Sequence, residues 1–160
     1  MIILYKPKIF DLWFRRSFLE DEVTMSFNHA WGGTISFPKS DWTDWYNHWI
    51  INHDGKRFYR YLLEVDTDEF VGEIAYHFDG ARQIWLVDVI IPAQFRGNGY
   101  GTKGLRILCE EAAKNGIDEI CDDIAIDNPA ITLFLREGFV EEYRTNDIIM
   151  LRKKLAKTNK

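Results

Sequence analysis

The chain has 160 residues, the size of one typical domain, and 46% of them are hydrophobic, which is enough for a core without disulfide bridges. Its formal net charge of −5 disfavours general nucleic-acid binding, which requires a basic face, and no apolar run approaches the roughly 18 residues of a membrane helix. We therefore expect a single cytoplasmic domain over residues 1–160 with no membrane or nucleic-acid partner and, because Cys109 and Cys121 lack a ligand spacing, no metal.

Tryptophan is concentrated at the start of the chain, where five of the six tryptophans fall in the first fifty residues. Apolar residues at helical spacing predict a helix over residues 8–26, and glycines with a proline predict a loop over residues 28–39. Ser40 is expected to cap a second helix. The tryptophans that would share one face of that second helix are Trp42, Trp45 and Trp49.

The rest of the chain alternates strands with helices. Three strands joined by short turns predict an antiparallel meander, and residues 155–160 are expected to form a flexible tail. The element order is typical of a three-layer α/β (α+β) fold, a mixed and mostly antiparallel sheet with helices on both faces. The expected elements are strands over residues 58–66, 70–78 and 83–91, a helix over 102–115, a strand over 117–126, a helix over 129–136, and strands over 139–144 and 148–154.

Three glycines at alternate positions, Gly97, Gly99 and Gly101, stand between a predicted strand and a predicted helix. Glycine lets successive backbone N–H groups point at one centre, and the positive end of the helix dipole adds to their field. The turn therefore predicts an anion site suited to a phosphate or pyrophosphate. A tight turn without a ligand is the alternative.

The glycines also satisfy the GxGxxG pattern of dinucleotide-binding proteins, at Gly99, Gly101 and Gly104, with aspartates at residues 122–123 about 20 positions further on. In that fold the glycine turn follows its strand directly, whereas here residues 92–96 intervene and an antiparallel meander comes first. A dinucleotide-dependent oxidoreductase is therefore the least favoured interpretation.

Two motifs flank the helix predicted over residues 102–115. Residues 89–101 carry Val-Ile-Ile-Pro followed by Phe-Arg-Gly-Asn-Gly-Tyr-Gly, and residues 127–139 read Asp-Asn-Pro-Ala-Ile-Thr-Leu-Phe-Leu-Arg-Glu-Gly-Phe. Together they resemble the two signatures of the GNAT superfamily of acyl-CoA-dependent N-acetyltransferases, and the element order matches over nearly the whole chain. The resemblance implies a GNAT-like sheet splayed at an acyl-CoA cleft, with residues 1–57 on the substrate side and the acetyl-CoA-binding core in residues 58–154.

The resemblance also implies that acetyl-CoA is the cosubstrate. Backbone amides of the glycine turn would hold its pyrophosphate, the strand before the turn would pair with its pantetheine arm, and a backbone N–H near Ile90 would face the thioester carbonyl. Asn128 is either a CoA contact or only the cap of the helix that follows. The implied cofactor-binding residues are Val89, Ile90, Ile91, Arg96, Gly97, Asn98, Gly99, Tyr100, Gly101, Thr102, Asn128 and Phe134.

An attacking amine must be neutral, so the reaction needs a base or a chain of water molecules. Glu73, on the second strand of the meander, is the first candidate, and Asp88 on the third strand is the second. His77 is a weaker candidate on the strand of Glu73. The alternative is that both carboxylates are exposed or ion-paired and that His77 is a solvated strand residue.

The family's second motif carries a tyrosine that protonates the leaving thiolate, and this chain has Phe134 at that position. Phenylalanine cannot donate a proton. Tyr143 or Tyr100 would have to replace it, or water would, unless the thiolate leaves unassisted. The same departure supports a different class of function, a CoA-binding module without catalysis.

The first two helices and the loop between them are expected to supply the substrate pocket, in which aromatic rings would contact a cationic amine. The alternative for the tryptophans is a core-facing stripe. We expect transfer of an acetyl group to a primary amine of a small molecule or peptide by direct attack, with pairing of two copies into a homodimer left open. The candidate substrate-binding residues are Asn28, His29, Trp31, Trp45 and Tyr46.

Overall fold

Seven β-strands form one sheet in the computed structural model, which describes residues 1–157. The strands are β1 (Ile2–Tyr5), β2 (Arg57–Glu64), β3 (Glu69–Asp79), β4 (Ile84–Ile90), β5 (Glu119–Ala125), β6 (Val140–Arg144) and β7 (Ile148–Lys154). Their order across the sheet is β1-β2-β3-β4-β5-β7-β6, and β4 and β5 form the single parallel pair among these strands. The mixed, mostly antiparallel sheet predicted from the sequence is confirmed.

Four α-helices cover the sheet within the same residues, together with shorter 3-10 and π-helical turns. None of the helices in the described part of the chain is long and apolar enough to cross a membrane. The 3-10 helix Thr24–Trp31 matters for the site described below. The α-helices are α1 (Leu12–Leu19), α2 (Trp42–Tyr46), α3 (Tyr100–Lys114) and α4 (Ala130–Arg136).

Alternating side chains of the central strands divide the core into two layers. Leu62 and Ile74 are buried with residues of α3 on one face of the sheet. Tyr59, Tyr61 and Ala75 are buried with residues of α1 and α2 on the other face. Because successive residues of a strand point to opposite faces, β2 and β3 each supply both layers. The expected helices on both faces of the sheet are therefore confirmed.

The two parallel strands separate soon after they meet. β4 and β5 pair at Leu86 and Cys121, and no further pair joins them in the described residues. The following residues of the two strands, 88–91 and 122–125, instead line a common cleft. The splayed sheet implied by the family resemblance is therefore present, and it positions the candidate site.

The helix predicted over residues 8–26 is wrong beyond its middle, because α1 ends at Leu19. Asp21 accepts hydrogen bonds from the backbone N–H of Thr24 at 3.1 Å and from its hydroxyl at 2.5 Å, and the chain restarts there as a 3-10 helix that runs into the predicted loop. Side chains of this type compete with helical hydrogen bonding. Ser40 lies inside a short 3-10 turn and makes no capping hydrogen bond.

The remaining predicted elements lie within about two residues of the observed ones. β1 was not predicted, because a four-residue edge strand is defined by its pairing with β2 rather than by its own sequence. Leu155, the first residue of the tail predicted over residues 155–160, packs on the core instead, and its N–H donates to the Asp118 carbonyl at 2.8 Å. Residues 158–160 lie outside the described part of the chain.

Candidate functional site

The point at which β4 and β5 part opens a cleft of about 540 Å³. The 3-10 helix Thr24–Trp31 forms one wall, and α4 with the end of β5 forms the opposite wall. The glycine turn and the first residues of α3 close one end. The cleft is large enough for a small-molecule site, since such sites range over roughly 300–1,000 Å³. The lining residues lie within segments 24–31, 88–102, 122–125 and 128–136.

The glycine turn places the amino end of α3 at this cleft. Gly97 and Gly99 have left-handed backbone angles, with φ of 83° and 79°, and Gly99 directly precedes the helix. Gly101 and Thr102 in the first turn of α3 also line the cleft. A 15-residue helix with free amino-terminal N–H groups presents a partial positive charge, so this end of the cleft favours an anion.

The third glycine of the GxGxxG pattern has a different role. A Cβ on Gly104 would lie 2.9 Å from the Leu62 side chain and 3.3 Å from the Ile74 side chain. Glycine is therefore needed here so that α3 can pack closely against β2 and β3. The pattern arises from helix packing, and the mostly antiparallel sheet removes the basis for a dinucleotide-binding fold.

Arg96 ties the glycine turn to the wall formed by the 3-10 helix Thr24–Trp31. Its guanidinium donates to the carbonyl of Thr24 at 2.8 Å and to the carbonyl of Ile91 at 3.0 Å, and it stacks over the ring of Phe27 at 5.0 Å. Desolvation lowers the pKa of Arg96. Arg96 lines the cleft, whereas Asn98 points its amide at the Phe95 carbonyl, 3.0 Å away. Arg96 thus holds the 3-10 helix in place.

Three carboxylates line the cleft where these strands separate, Asp88 on β4 and Asp122 and Asp123 on β5, and Asp123 lies 3.4 Å from the Arg82 guanidinium. Within residues 1–157 the Asp88 carboxylate accepts no hydrogen bond, and neither Asp88 nor Asp122 forms an ion pair. Asp88 reaches solvent through the cleft, but protein surrounds it on its other sides. This desolvation, with the charge of Glu73, raises the pKa of Asp88 to about 6. Desolvation, with the charge of Asp88, raises the pKa of Asp122 well above its ordinary value.

Glu73, on β3, is part of a buried ion pair. Its carboxylate accepts from the Arg15 guanidinium at 2.8 Å and also from the Tyr59 hydroxyl, and only 3% of the residue is exposed. The Arg15 guanidinium in turn stacks on Trp45, 4.6 Å from the ring centre. Glu73 does not line the cleft, whereas Asp88 does.

The other residues considered for proton transfer are placed unequally. Tyr143 lies on the edge strand β6, is 46% exposed and does not line the cleft. Tyr100 and the nearly buried Phe134 do line it. His77 packs edge-on against Trp49 away from the cleft, and desolvation lowers its pKa.

The candidate substrate residues divide into two groups. Asn28 and the half-exposed Trp31 line the cleft, whereas His29 does not and its Nε2 lies 3.0 Å from the Asp127 carboxylate. Trp45 and Tyr46 are part of the packing instead. The Tyr46 hydroxyl donates to the Pro7 carbonyl at 2.9 Å, and Trp45 packs against Tyr59 and carries Arg15.

Several cleft residues were not predicted as site residues. Met25 and Phe27 follow the break in the predicted first helix, so their position depended on a turn that the sequence pattern did not reveal. Asp122 could have been found from its place on the strand after the glycine helix. Asn128 is both a cleft residue and a cap, since its side chain accepts from the Ala130 N–H at 2.8 Å.

The raised pKa of Asp88 implies that the stability of the folded protein depends on pH. Between the ordinary pKa of 3.8 and about 6 the folded state binds more protons than the unfolded state, so stability falls as pH rises through this range. Asp88→Asn removes that charge. We expect the variant to melt at a higher temperature than the wild type at pH 8 and to lose this advantage near pH 4. The control is Asp118→Asn, at an exposed site away from the cleft, whose melting temperature should differ from that of the wild type by the same amount at both pH values. An Asp88→Asn variant that melts below the wild type at pH 8 would contradict the prediction.

Comparison with known proteins places this geometry in a family. The model of the acetyltransferase (GNAT) family matches residues 16–139. The fold is similar to spermidine N-acetyltransferase from Vibrio cholerae, solved with CoA and spermine, at a TM-score of 0.81 and 18% identity, covering 96% of this chain and 95% of that one. It is also similar to an acetyltransferase of the GNAT family from Streptococcus pneumoniae, at a TM-score of 0.78 and 16% identity, covering 98% and 100%. No curated protein sequence matches the chain significantly. Since the family match spans most of the sequence and the shared fold nearly all of it, the chain belongs to the GNAT acetyltransferase family.

Proposed function

We propose that this protein transfers the acetyl group of acetyl-CoA to a primary amine of a small cationic molecule. The observation that carries the proposal is the cleft itself, which has a helix amino end at one end and carboxylates where the strands part. The first end suits an anionic cofactor, and the second suits a positively charged acceptor. We propose the cytoplasm as its location, and pairing of two copies remains a prediction.

The residues at the helix end of the cleft fit the phosphates of acetyl-CoA. The left-handed Gly97 and Gly99 bring the backbone close to any ligand, and Gly101 and Thr102 open the helix beside them. Peptide groups of β4 beyond Leu86 have no strand beside them on the β5 side, so they are available to the pantetheine arm and to the thioester carbonyl. Acetyl-CoA, when bound, supplies the activated acetyl group.

Asp88 is placed to accept the proton of the amine. It lies where the strands separate and has no partner in the described residues. Its pKa of about 6 is just below neutral pH, so Asp88 is ionised there and able to accept a proton. A base whose pKa is close to the working pH takes up and releases protons readily. We therefore assign Asp88 the role of general base and leave Glu73 in its ion pair.

The side chains that line the cleft favour a positively charged acceptor. Asp88, Asp122 and Asp123 line the cleft close together, and the exposed ring of Trp31 lies on the opposite wall. Carboxylates attract a cationic amine over a distance, and an aromatic face contacts it directly. The Vibrio cholerae protein of similar fold is named for spermidine, which is a cation of this kind.

A panel of amines tests the proposal. Release of the CoA thiol is measured with spermidine, spermine, a neutral aromatic amine, an amino acid and a short peptide as acceptors. We expect turnover with the polyamines and little with the neutral amine. If acetyl-CoA binds and no amine releases thiol, the protein is a CoA-binding module without catalysis, the alternative that Phe134 supports.

Thr102→Glu should separate cofactor binding from folding. Glutamate in the first turn of a helix favours the helix, but here its carboxylate would occupy the anion end of the cleft. We expect acetyl-CoA affinity to fall by about two orders of magnitude, because like charges in a site repel strongly. Isothermal titration measures the affinity, and thermal melting checks the fold. Lys114→Gln, at the other end of α3, makes the same change in net charge and should bind acetyl-CoA normally; equal affinity in both variants would place the phosphates elsewhere.

A further inference from the structure

We propose that Asp122 is a second catalytic residue, the acid that gives its proton to the departing sulfur of CoA. The proposal rests on the proposed acetyl transfer. It assigns opposite tasks to two of the three carboxylates of the cleft, with Asp88 serving the amine and Asp122 serving the thiol.

Strand alternation sets the direction of the Asp122 side chain. Ile120 and Ile124, two residues to either side, are buried with residues of α3 and α4. Leu151, opposite Asp122 on β7, belongs to the same layer. Asp122 therefore faces α3 and α4, and among the residues lining that side of the cleft is Phe134.

Asp88 belongs to the other face. It shares its side of β4 with Leu86, which packs with Cys121 and Met150 in a separate cluster. The two aspartates thus approach one gap from opposite sides of the sheet, at the place where β4 and β5 cease to pair. An acyl group in that gap would have one carboxylate on the side of the α1 and α2 layer and the other on the side of α3 and α4.

Local chemistry distinguishes their protonation states. Two carboxylates that share a poorly solvated gap do not both ionise readily, because each charge disfavours the other. Asp88 is open to solvent through the cleft, whereas Asp122 is less exposed and Phe134 near it offers no proton. Desolvation, and then the charges of Asp88 and Asp123, raise the pKa of Asp122 well above its ordinary value, which supports Asp122 as the carboxyl that holds the proton in the proposed step. Environments that separate two such groups identify an acid and a base.

The proposed step balances. The amine nitrogen forms a bond to the acetyl carbonyl carbon, and the carbon–sulfur bond breaks with its electron pair left on sulfur. The amine proton passes to the Asp88 carboxylate, and the Asp122 proton passes to sulfur, so the products are the acetylated amine and the CoA thiol. Exchange with solvent then returns the proton to Asp122 and removes it from Asp88.

The kinetic test compares Asp122→Asn with Asp118→Asn, an exposed residue just before β5, using the amine of the panel with the highest turnover. We expect kcat of Asp122→Asn to fall by about 10²-fold or more, with unchanged acetyl-CoA affinity. The wild-type kcat should decline at alkaline pH as Asp122 loses its proton, and the variant should lack that decline. Normal kcat in Asp122→Asn, or a loss that is the same at every pH and accompanies weaker acetyl-CoA binding, would overturn the assignment.

A second measurement needs no acceptor. Carbon-13 NMR of the aspartate side chains, assigned by comparison with Asp122→Asn and Asp88→Asn, gives the order in which the two carboxyls ionise. We expect Asp88 to ionise first as pH rises, and an Asp122 that ionises first would overturn the proposal. Absence of acetyl-CoA binding to the wild type would refute the proposed function instead, so the two failures are distinguishable.

Discussion

Asp88→Asn is expected to lower kcat by about 10²–10⁴-fold while acetyl-CoA still binds with wild-type affinity. Asparagine keeps the shape of the side chain but cannot take up the amine proton. In the wild type, kcat should rise as pH increases through about 6, because Asp88 becomes a carboxylate over that range. The variant should lack this rise. The measurement is kcat at saturating acceptor concentration, determined from about pH 5 to about pH 9 so that the range spans the pKa of Asp88.

The control for this experiment is Asp118→Asn, which makes the same chemical change at an exposed site outside the cleft and should match the wild type. A low kcat that persists unchanged across the pH range would indicate that Asp88 only shapes the cleft. Wild-type kcat in Asp88→Asn would remove Asp88 from the reaction.

Glu73→Gln is expected to lower the free energy of unfolding by about 3–5 kcal/mol, which is the usual cost of breaking a buried ion pair. The Arg15 and Glu73 side chains are only 16% and 4% exposed, so the Arg15 guanidinium would be left buried without its charge partner. The Tyr59 hydroxyl would also lose its acceptor carboxylate. Urea unfolding at pH 7.5, well above the ordinary carboxyl range, measures the change.

An exposed ion pair in the same region supplies the matched control. Glu20→Gln breaks the Arg16–Glu20 pair, whose side chains are 44% and 39% exposed, and should cost no more than about 1 kcal/mol. Replacing both members of the buried pair, as Arg15→Met with Glu73→Gln, should recover much of the loss. If Glu73→Gln unfolds like the wild type but has no activity, then Glu73 is the base and the assignment of Asp88 is wrong.

Local patterns predicted the part of the fold that contains the cofactor end of the cleft. The alternation of β2 to β4, the glycine turn and the amphipathic α3 depend on neighbouring residues, and each was predicted to within about two residues. The break after Leu19 depends on one side-chain interaction, between Asp21 and Thr24, and was missed. β1 forms a strand only by pairing with β2, which lies far along the chain, at the edge of the sheet.

The carboxylate end of the cleft was less predictable, because it is assembled from strands that meet only in the folded chain. Glu73 looked like an available carboxylate, but Arg15, 58 residues earlier, neutralises it. Trp45, predicted as a substrate contact, lies under the Arg15 guanidinium. From the sequence, Asp122 was noted only as part of the dinucleotide-binding pattern, because its place beside Asp88 follows from the parallel pairing of β4 and β5.

A thermal-shift titration of the wild type with acetyl-CoA, with NADH and Thr102→Glu alongside, tests the central claim most directly. A ligand that binds only the folded state adds about 2.7 kcal/mol of stability at about 100 times its Kd. We predict that acetyl-CoA raises the melting temperature of the wild type, that NADH does not, and that Thr102→Glu loses the response. A wild type whose melting temperature is unchanged at millimolar acetyl-CoA would contradict the account, because the helix end of the cleft would then not be a CoA site.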